Sequence, residues 1–323
     1  MLKSIANTEE QWIELIANTE LPAITSTARM LDKFSNDDKS SLPKLSQVIL
    51  HDQALSSCLL KVVNNVQHIG VNKVTTVSRA TVVLGIQTVK NVCLTAKLVD
   101  SLLVSKSLDF RVYEKITQLM ANSFFAAMLA KMMVPNYGDE TQEEVYLAAL
   151  LYGIGETAFW SSGGKVADQL MCNADINSPG FKTTCEKKIG TTFNSLTRGL
   201  AHTWNLSDLL LKALDKPESR TNEVKIVYFA DKLSTAIAQP GNNEEEFNEL
   251  LEKIAEIMKI TVTQLKVRIA QTRKQAAKLL SSYGADVLID LIKSLPNASD
   301  FNQSIDAHIT QKLSKEKVLL NGY

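Results

Sequence analysis

Apolar residues recur at offsets of three and four along nearly the whole of this 323-residue chain, and no long apolar–polar alternation interrupts them. That period stacks side chains on one face of an α-helix, whereas a half-buried strand needs a period of two. The low aromatic content (6%) and the abundance of Ala, Leu, Lys and Glu point the same way. The fold class read from the sequence is therefore all-α.

Turn chemistry divides the pattern into three segments. Residues 15–105 form a first run of short helices. Here Leu21-Pro22 opens one helix, and Asp37-Asp38 with Ser40-Ser41-Leu42-Pro43 separates it from the next. Asp52 is placed to cap a third, on which Leu55, Leu59, Val62, Val63 and Val66 share a face. A later helix turns Val83, Leu84, Ile86, Val89, Val92 and Cys93 inward. Residues 110–238 form a second segment. Its expected helices run from Val112 to Met133, from Glu143 to Trp160, near Lys165 to Cys172, around Phe181 to Trp204, and from Glu223 to Ala238. Pro240-Gly241 closes it, and residues 241–323 read as a helical extension. In that extension Phe247, Leu250, Leu251, Ile254, Ile257 and Met258 make one stripe, and Thr261-x-x-Gln264 has the form of a capping box.

Lys plus Arg equals Asp plus Glu at 35 each, so no global field draws the chain to nucleic acid or to an anionic membrane. The local basic cluster Lys266, Arg268, Arg273, Lys274 and Lys278 spreads around its helix and has no interleaved aromatic residue, so it is expected to be a solvated face. Cys58, Cys93, Cys172 and Cys185 are scattered without metal-ligand spacing, and are expected as reduced, mostly buried thiols. No apolar run reaches the ~18 residues of a spanning helix, and the start of the chain lacks the pattern of a signal peptide. A soluble, cytoplasmic protein without nucleic-acid or membrane partners is expected.

Several stretches carry a resemblance. They are Leu21-Pro22-Ala23, then His51-Asp52-Gln53-Ala54-Leu55 with Leu59 to Asn65, and then Val74-Thr75-Thr76-Val77-Ser78-Arg79-Ala80 followed by Val83-Leu84-Gly85. Asn122-Ser123, the run Leu147 to Gly155, and Trp204-Asn205-Leu206 extend it over roughly residues 15 to 238. Together they resemble the HD-related output domain, HDOD, a bacterial signalling module of the HD phosphohydrolase superfamily. Gln53 departs from the proline usual in that family. The resemblance implies an HD-domain-like helical bundle preceded by an N-terminal helical subdomain.

Metal-binding HD proteins place a His on the first bundle helix, a His-Asp pair on the second and an Asp near the end. The corresponding positions here are Asn122, Tyr152-Gly153 and Asp231, and a His-His element of many relatives falls on Pro217-Glu218. A phenol that ionises near pH ~10 is a poor ligand for a hard cation at neutral pH, and glycine offers no donor. The literal dipeptide His51-Asp52 lies in the wrong segment and at a helix start, so Asp52 reads as a cap. His68, His202 and His308 each lack a second His three or four residues away.

No metal and no cofactor is therefore expected. Asn122, Tyr152, Gly153, Glu156 and Asp231 stand as candidates to line a vacated pocket. Asp231 reads either as a hydrogen-bond acceptor within it or as solvated, and Glu156 either as a lining residue or as an exposed carboxylate at a helix end. Arg79 and Lys90 read as solvated, or as contacts for an anionic partner. The function implied is non-catalytic regulation through a protein partner in a signalling pathway, or through a small-molecule or nucleotide ligand. The alternative is a metal-dependent phosphohydrolase with another ligand set. The sequence leaves the oligomeric state open.

Overall fold

A computed structural model describes residues 6–19, 21, 23, 42–66, 73–95, 109–173, 180–240, 243–282, 284–297 and 299–301. Among these residues the regular elements are helical and none is a strand, in keeping with the period of the sequence. The organising element is α5 (Phe110–Met133). Asp109 caps it by accepting a hydrogen bond from the Arg111 N–H at 2.9 Å, and Pro135 follows its end. Val112, Ile116, Phe124, Phe125, Ala127 and Ala130 are all buried, so apolar residues cover most of its circumference, as a central helix requires.

Around α5 pack α6 (Asp139–Leu151), α7 (Ile154–Ser162) and α12 (Asn222–Ala238), and α12 also packs on α6. Between them in the chain lie α8 (Gly164–Asn173), α9 (Phe181–Ile189), α10 (Phe193–Thr203) and the short α11 (Asp208–Ala213). The helix expected from Glu143 to Trp160 is two helices. The bend falls on Tyr152-Gly153, where the Glu156 N–H bonds to the Gly153 carbonyl, three residues back. The helix expected around Phe181 to Trp204 is also two. Gly190 ends α9 in the left-handed conformation, at φ 75°, which suits glycine. Thr192 then caps α10 by accepting from the Ser195 N–H at 3.0 Å.

The opening helix α1 (Glu9–Ala17) packs on α10 and α7. Its Trp12 is buried, donates its indole N–H to the Ile189 carbonyl at 3.1 Å, and meets Phe159 edge-on at 5.2 Å. The remaining helices of the first segment are α2 (Leu42–Leu50), α3 (Gln53–Val66) and α4 (Val77–Thr95), which pack on one another. Leu42-Pro43 begins α2 rather than preceding it. Proline fits a first helical turn, whose N–H groups have no partner within the helix. On α4, Val89 is buried and Leu84 and Ile86 are partly so, but Val83 is exposed. Gly85, at φ 76° and ψ 160°, breaks the helix and rotates the face that the sequence pattern assigned to the core. The expectations for His68 and His308, for the helix at Leu21-Pro22 beyond Ala23, and for the side chains of Lys90, Val92 and Cys93 lie outside the described residues.

Side chains fasten the first segment to the bundle. Gln53 donates from Nε2 to the Leu150 carbonyl at 2.8 Å, His51 Nδ1 lies 2.8 Å from the Tyr146 hydroxyl, and the Ser78 N–H bonds to Glu143 Oε1 at 2.9 Å. Asn64 exchanges hydrogen bonds with Val74 and also donates to the Asn205 carbonyl at 3.1 Å. In the extension, α13 (Glu244–Met258) packs on α12, and α14 (Val262–Ser282) packs on α5. The capping box is formed: the Gln264 N–H bonds to Thr261 Oγ1 at 3.2 Å, and the Thr261 N–H to Gln264 Oε1 at 3.0 Å. Among the described cysteines, Cys185 is buried, Cys58 half-buried and Cys172 exposed.

Candidate functional site

The site grows from three helices. Asn122 lies in the middle of α5, Tyr152 and Gly153 form the bend between α6 and α7, Glu156 follows in the first turn of α7, and Asp231 sits on α12. Val227, Ala230, Ser234 and Ala238 are buried and seat α12 closely. Ser234 donates its hydroxyl to the Asn122 carbonyl at 2.9 Å, which locks α12 onto α5 beside the pocket. The Asn122 carboxamide oxygen accepts from Gln118 Nε2 at 2.8 Å, along its own helix.

Tyr152 is held neutral. Burial is the largest cause, and the negative charge of Asp231 adds to it, so the phenol ionises well above its usual range. Burial likewise raises the Asp231 carboxyl to about 6. Glu156 adds to that rise, while Lys182 and Lys232 oppose it.

Glu156 is not an exposed carboxylate at a helix end. Its Oε1 lies 2.9 Å from Lys115 Nζ, with the two side chains 12% and 18% exposed, and the Trp160 indole N–H approaches the same oxygen at 3.4 Å. Burial pushes its pKa up, but Lys115 and Lys182, together with the two hydrogen bonds, outweigh this and hold it below the ordinary value. The Lys115 ammonium also lies over the Phe181 ring, which stacks on Trp160 at 5.9 Å. The structure thus brings Tyr152, Glu156 and Asp231 into one electrostatic cluster, with Asn122 tied to the helix that carries Asp231.

Sequence reasoning did not find Lys115 and Lys182, two of the cations that act on this cluster. Each stands on another helix, far along the chain from Glu156, and neither belongs to a local motif. Their one sequence signal is a lysine beside a buried apolar residue, as in Lys115-Ile116 and Phe181-Lys182. Elsewhere Asp52 acts as a cap, accepting from the Leu55 N–H at 3.0 Å. Burial, with Lys131 nearby, lowers His51 to about 4, which keeps its imidazole neutral. Arg79 is half exposed, with only the exposed Glu140 at 3.7 Å.

A divalent metal does not fit this donor set. The positions offer a carboxamide already bonded to Gln118, a neutral phenol, a glycine and one carboxylate that resists ionisation. Among the described residues no group of three His, Cys, Asp or Glu side chains stands close enough to hold a metal ion. An internal ammonium, that of Lys115, supplies the positive charge beside Glu156.

Fold and site together define an all-helical bundle in which Asn122, Tyr152, Gly153 and Asp231 stand on neighbouring helices and the bend between them. The chain belongs to the HDOD domain family, which it matches over residues 21–218. Solved structures agree on the fold. The MmoQ response regulator of Methylococcus capsulatus superposes with a TM-score of 0.60 at 16% identity, covering 78% of this chain and 99% of that one. A virulence factor of Campylobacter jejuni gives 0.59 at 16% identity, covering 83% and 100%. Comparison with curated proteins gave no significant sequence match. Among the described residues no helix is long and apolar enough to cross a membrane.

Proposed function

We propose that this protein is a non-catalytic signal-transduction module of the HDOD type, acting in the cytoplasm by binding a protein or a small ligand. The observation that carries the reading is the chemistry at the metal positions. Asn122, Tyr152 and Gly153 provide no imidazole or ionised oxygen, and Asp231 is a lone carboxylate. A single carboxylate holds Mg²⁺ or Mn²⁺ weakly, because these ions are retained by several convergent oxygens. Without a metal, nothing in this pocket lowers the pKa of an attacking water or neutralises charge on phosphoryl oxygens. Membership of the HDOD family and the fold shared with a response regulator support a role in regulation. In this reading, residues 15–105 and 110–238 are two subdomains that present a joint surface, and 241–323 is an accessory extension.

The test is elemental analysis of the purified protein together with assays on phosphomonoesters, phosphodiesters and nucleotides in Mn²⁺ and Mg²⁺. The expected result is no stoichiometric metal and no turnover. About one metal per chain, with turnover abolished by Asp231→Ala, would establish the phosphohydrolase instead.

A further inference from the structure

A small cavity lies where the first segment meets the bundle. Leu21, His51, Asp52, Gln53 and Ala54 line it from one side, and Met120, Leu150 and Thr157 from the other. It has room for about one water molecule. Two of the lining residues carry buried oxygens with no hydrogen-bond partner among the described residues, Gln53 Oε1 and Thr157 Oγ1. Both residues are deeply buried, at 5% and 3% exposed. Leaving such atoms unpaired costs about 1–3 kcal/mol each, so native interiors seldom do so.

The orientation of Gln53 is fixed. Its Nε2 donates to the Leu150 carbonyl at 2.8 Å, and a flipped amide would set two acceptor oxygens against each other. Oε1 therefore needs a donor from elsewhere. The Thr157 hydroxyl lies in the first turn of α7 and belongs to the same lining.

We infer that this cavity is a binding site for a single structural water, which donates to Gln53 Oε1 and hydrogen-bonds Thr157 Oγ1, and so fastens α3 of the first segment to α7 of the bundle. Size and chemistry select the ligand. The space holds about one water, and two buried oxygens on its lining residues meet the least number of partners that a buried water takes.

The experiment is a crystal structure of the full chain at a resolution that shows ordered waters, paired with oxygen-17 magnetic relaxation dispersion, which counts long-lived internal waters. A density peak at about 3 Å from both oxygens is expected. Thr157→Val keeps the shape and removes the hydroxyl, and should lose that peak and one long-lived water. Thr157→Ser should retain both. A wild-type cavity without density, or a Thr157 hydroxyl turned onto the Gly153 carbonyl with Gln53 Oε1 bonded to a protein donor, would overturn the inference.

Discussion

Lys115 Nζ lies 2.9 Å from Glu156 Oε1 in the interior of the bundle, joining the central helix α5 to the first turn of α7. Removing one member of a buried pair leaves the other charge without compensation, at a cost of roughly 3–5 kcal/mol, whereas removing both costs far less. Lys115→Met is therefore expected to destabilise the protein by about 3 kcal/mol in urea unfolding, and the Lys115→Met/Glu156→Gln double variant by clearly less. Equal losses in the two would show the pair to be solvated in solution. Glu156 is held below its ordinary 4.5, so its stabilising contribution is complete above that value and is lost only as pH falls through the lowered one.

Asp231 has the opposite linkage. Its pKa rises from 3.8 to about 6 through burial and the charge of Glu156, despite Lys182 and Lys232, so the folded state holds its proton more tightly than the unfolded chain does. The associated stability is complete below the ordinary carboxylate value and is lost as pH rises through about 6. Asp231→Asn, neutral at all pH, should be more stable than the parent at pH 8 by on the order of 1–2 kcal/mol, a figure reduced for the water that reaches this partly exposed group. The difference between the two proteins should shrink towards pH 4. A difference independent of pH would exclude a raised carboxyl at this position.

The extension carries its own test. Phe247, Leu251 and Ile254 on α13, with Leu265, Ile269 and Leu280 on α14, are buried against the bundle or each other. Ending the chain at Pro240 would expose the faces of α5 and α12 that they cover, and each buried aliphatic or aromatic side chain contributes about 1.5–3 kcal/mol. A lower melting temperature, or association through the uncovered faces, is expected by calorimetry and light scattering. An unchanged melting temperature and an unchanged solution mass would contradict docking of the extension.

Elements with local signals were legible in the sequence. The Thr261 to Gln264 box and the Asp52 cap follow from residues three apart, and the apolar period identified α5, α12 and α13. The bends at Tyr152-Gly153 and Gly190 were hidden because the apolar period continues across them. The second could have been read from Gly190 followed by Thr192 and Ser195, a helix stop and a cap in succession. The candidate site was legible as far as the places of Asn122, Tyr152, Gly153, Glu156 and Asp231 along the chain. Its ion pair was not, because Lys115 meets Glu156 only through the packing of α5 on α7.

Two glycines in the bend region separate packing from chemistry. A Cβ on Gly155 would lie 2.5 Å from the Thr197 backbone nitrogen and 2.6 Å from the Phe193 carbonyl oxygen, where α7 crosses α10, and backbone atoms cannot step aside as a side chain can. The Gly155 N–H also bonds to Thr197 Oγ1 at 3.0 Å, a contact that forcing the helices apart would break. Gly155→Ala should cost about 2 kcal/mol or more. A Cβ on Gly153 meets only Ser123 Oγ, at 3.9 Å, and the backbone there has a negative φ that any residue adopts. Gly153→Ala should therefore change stability by less than about 1 kcal/mol, with the entropy lost by the unfolded chain offsetting a poorer cap. Gly153→Asp has the same room for its Cβ, so its stability tests the effect of an added carboxylate and not of backbone crowding. Thermal melts of the three variants decide the matter, and an unfolded Gly153→Asp beside a stable Gly155→Ala would reverse the assignment.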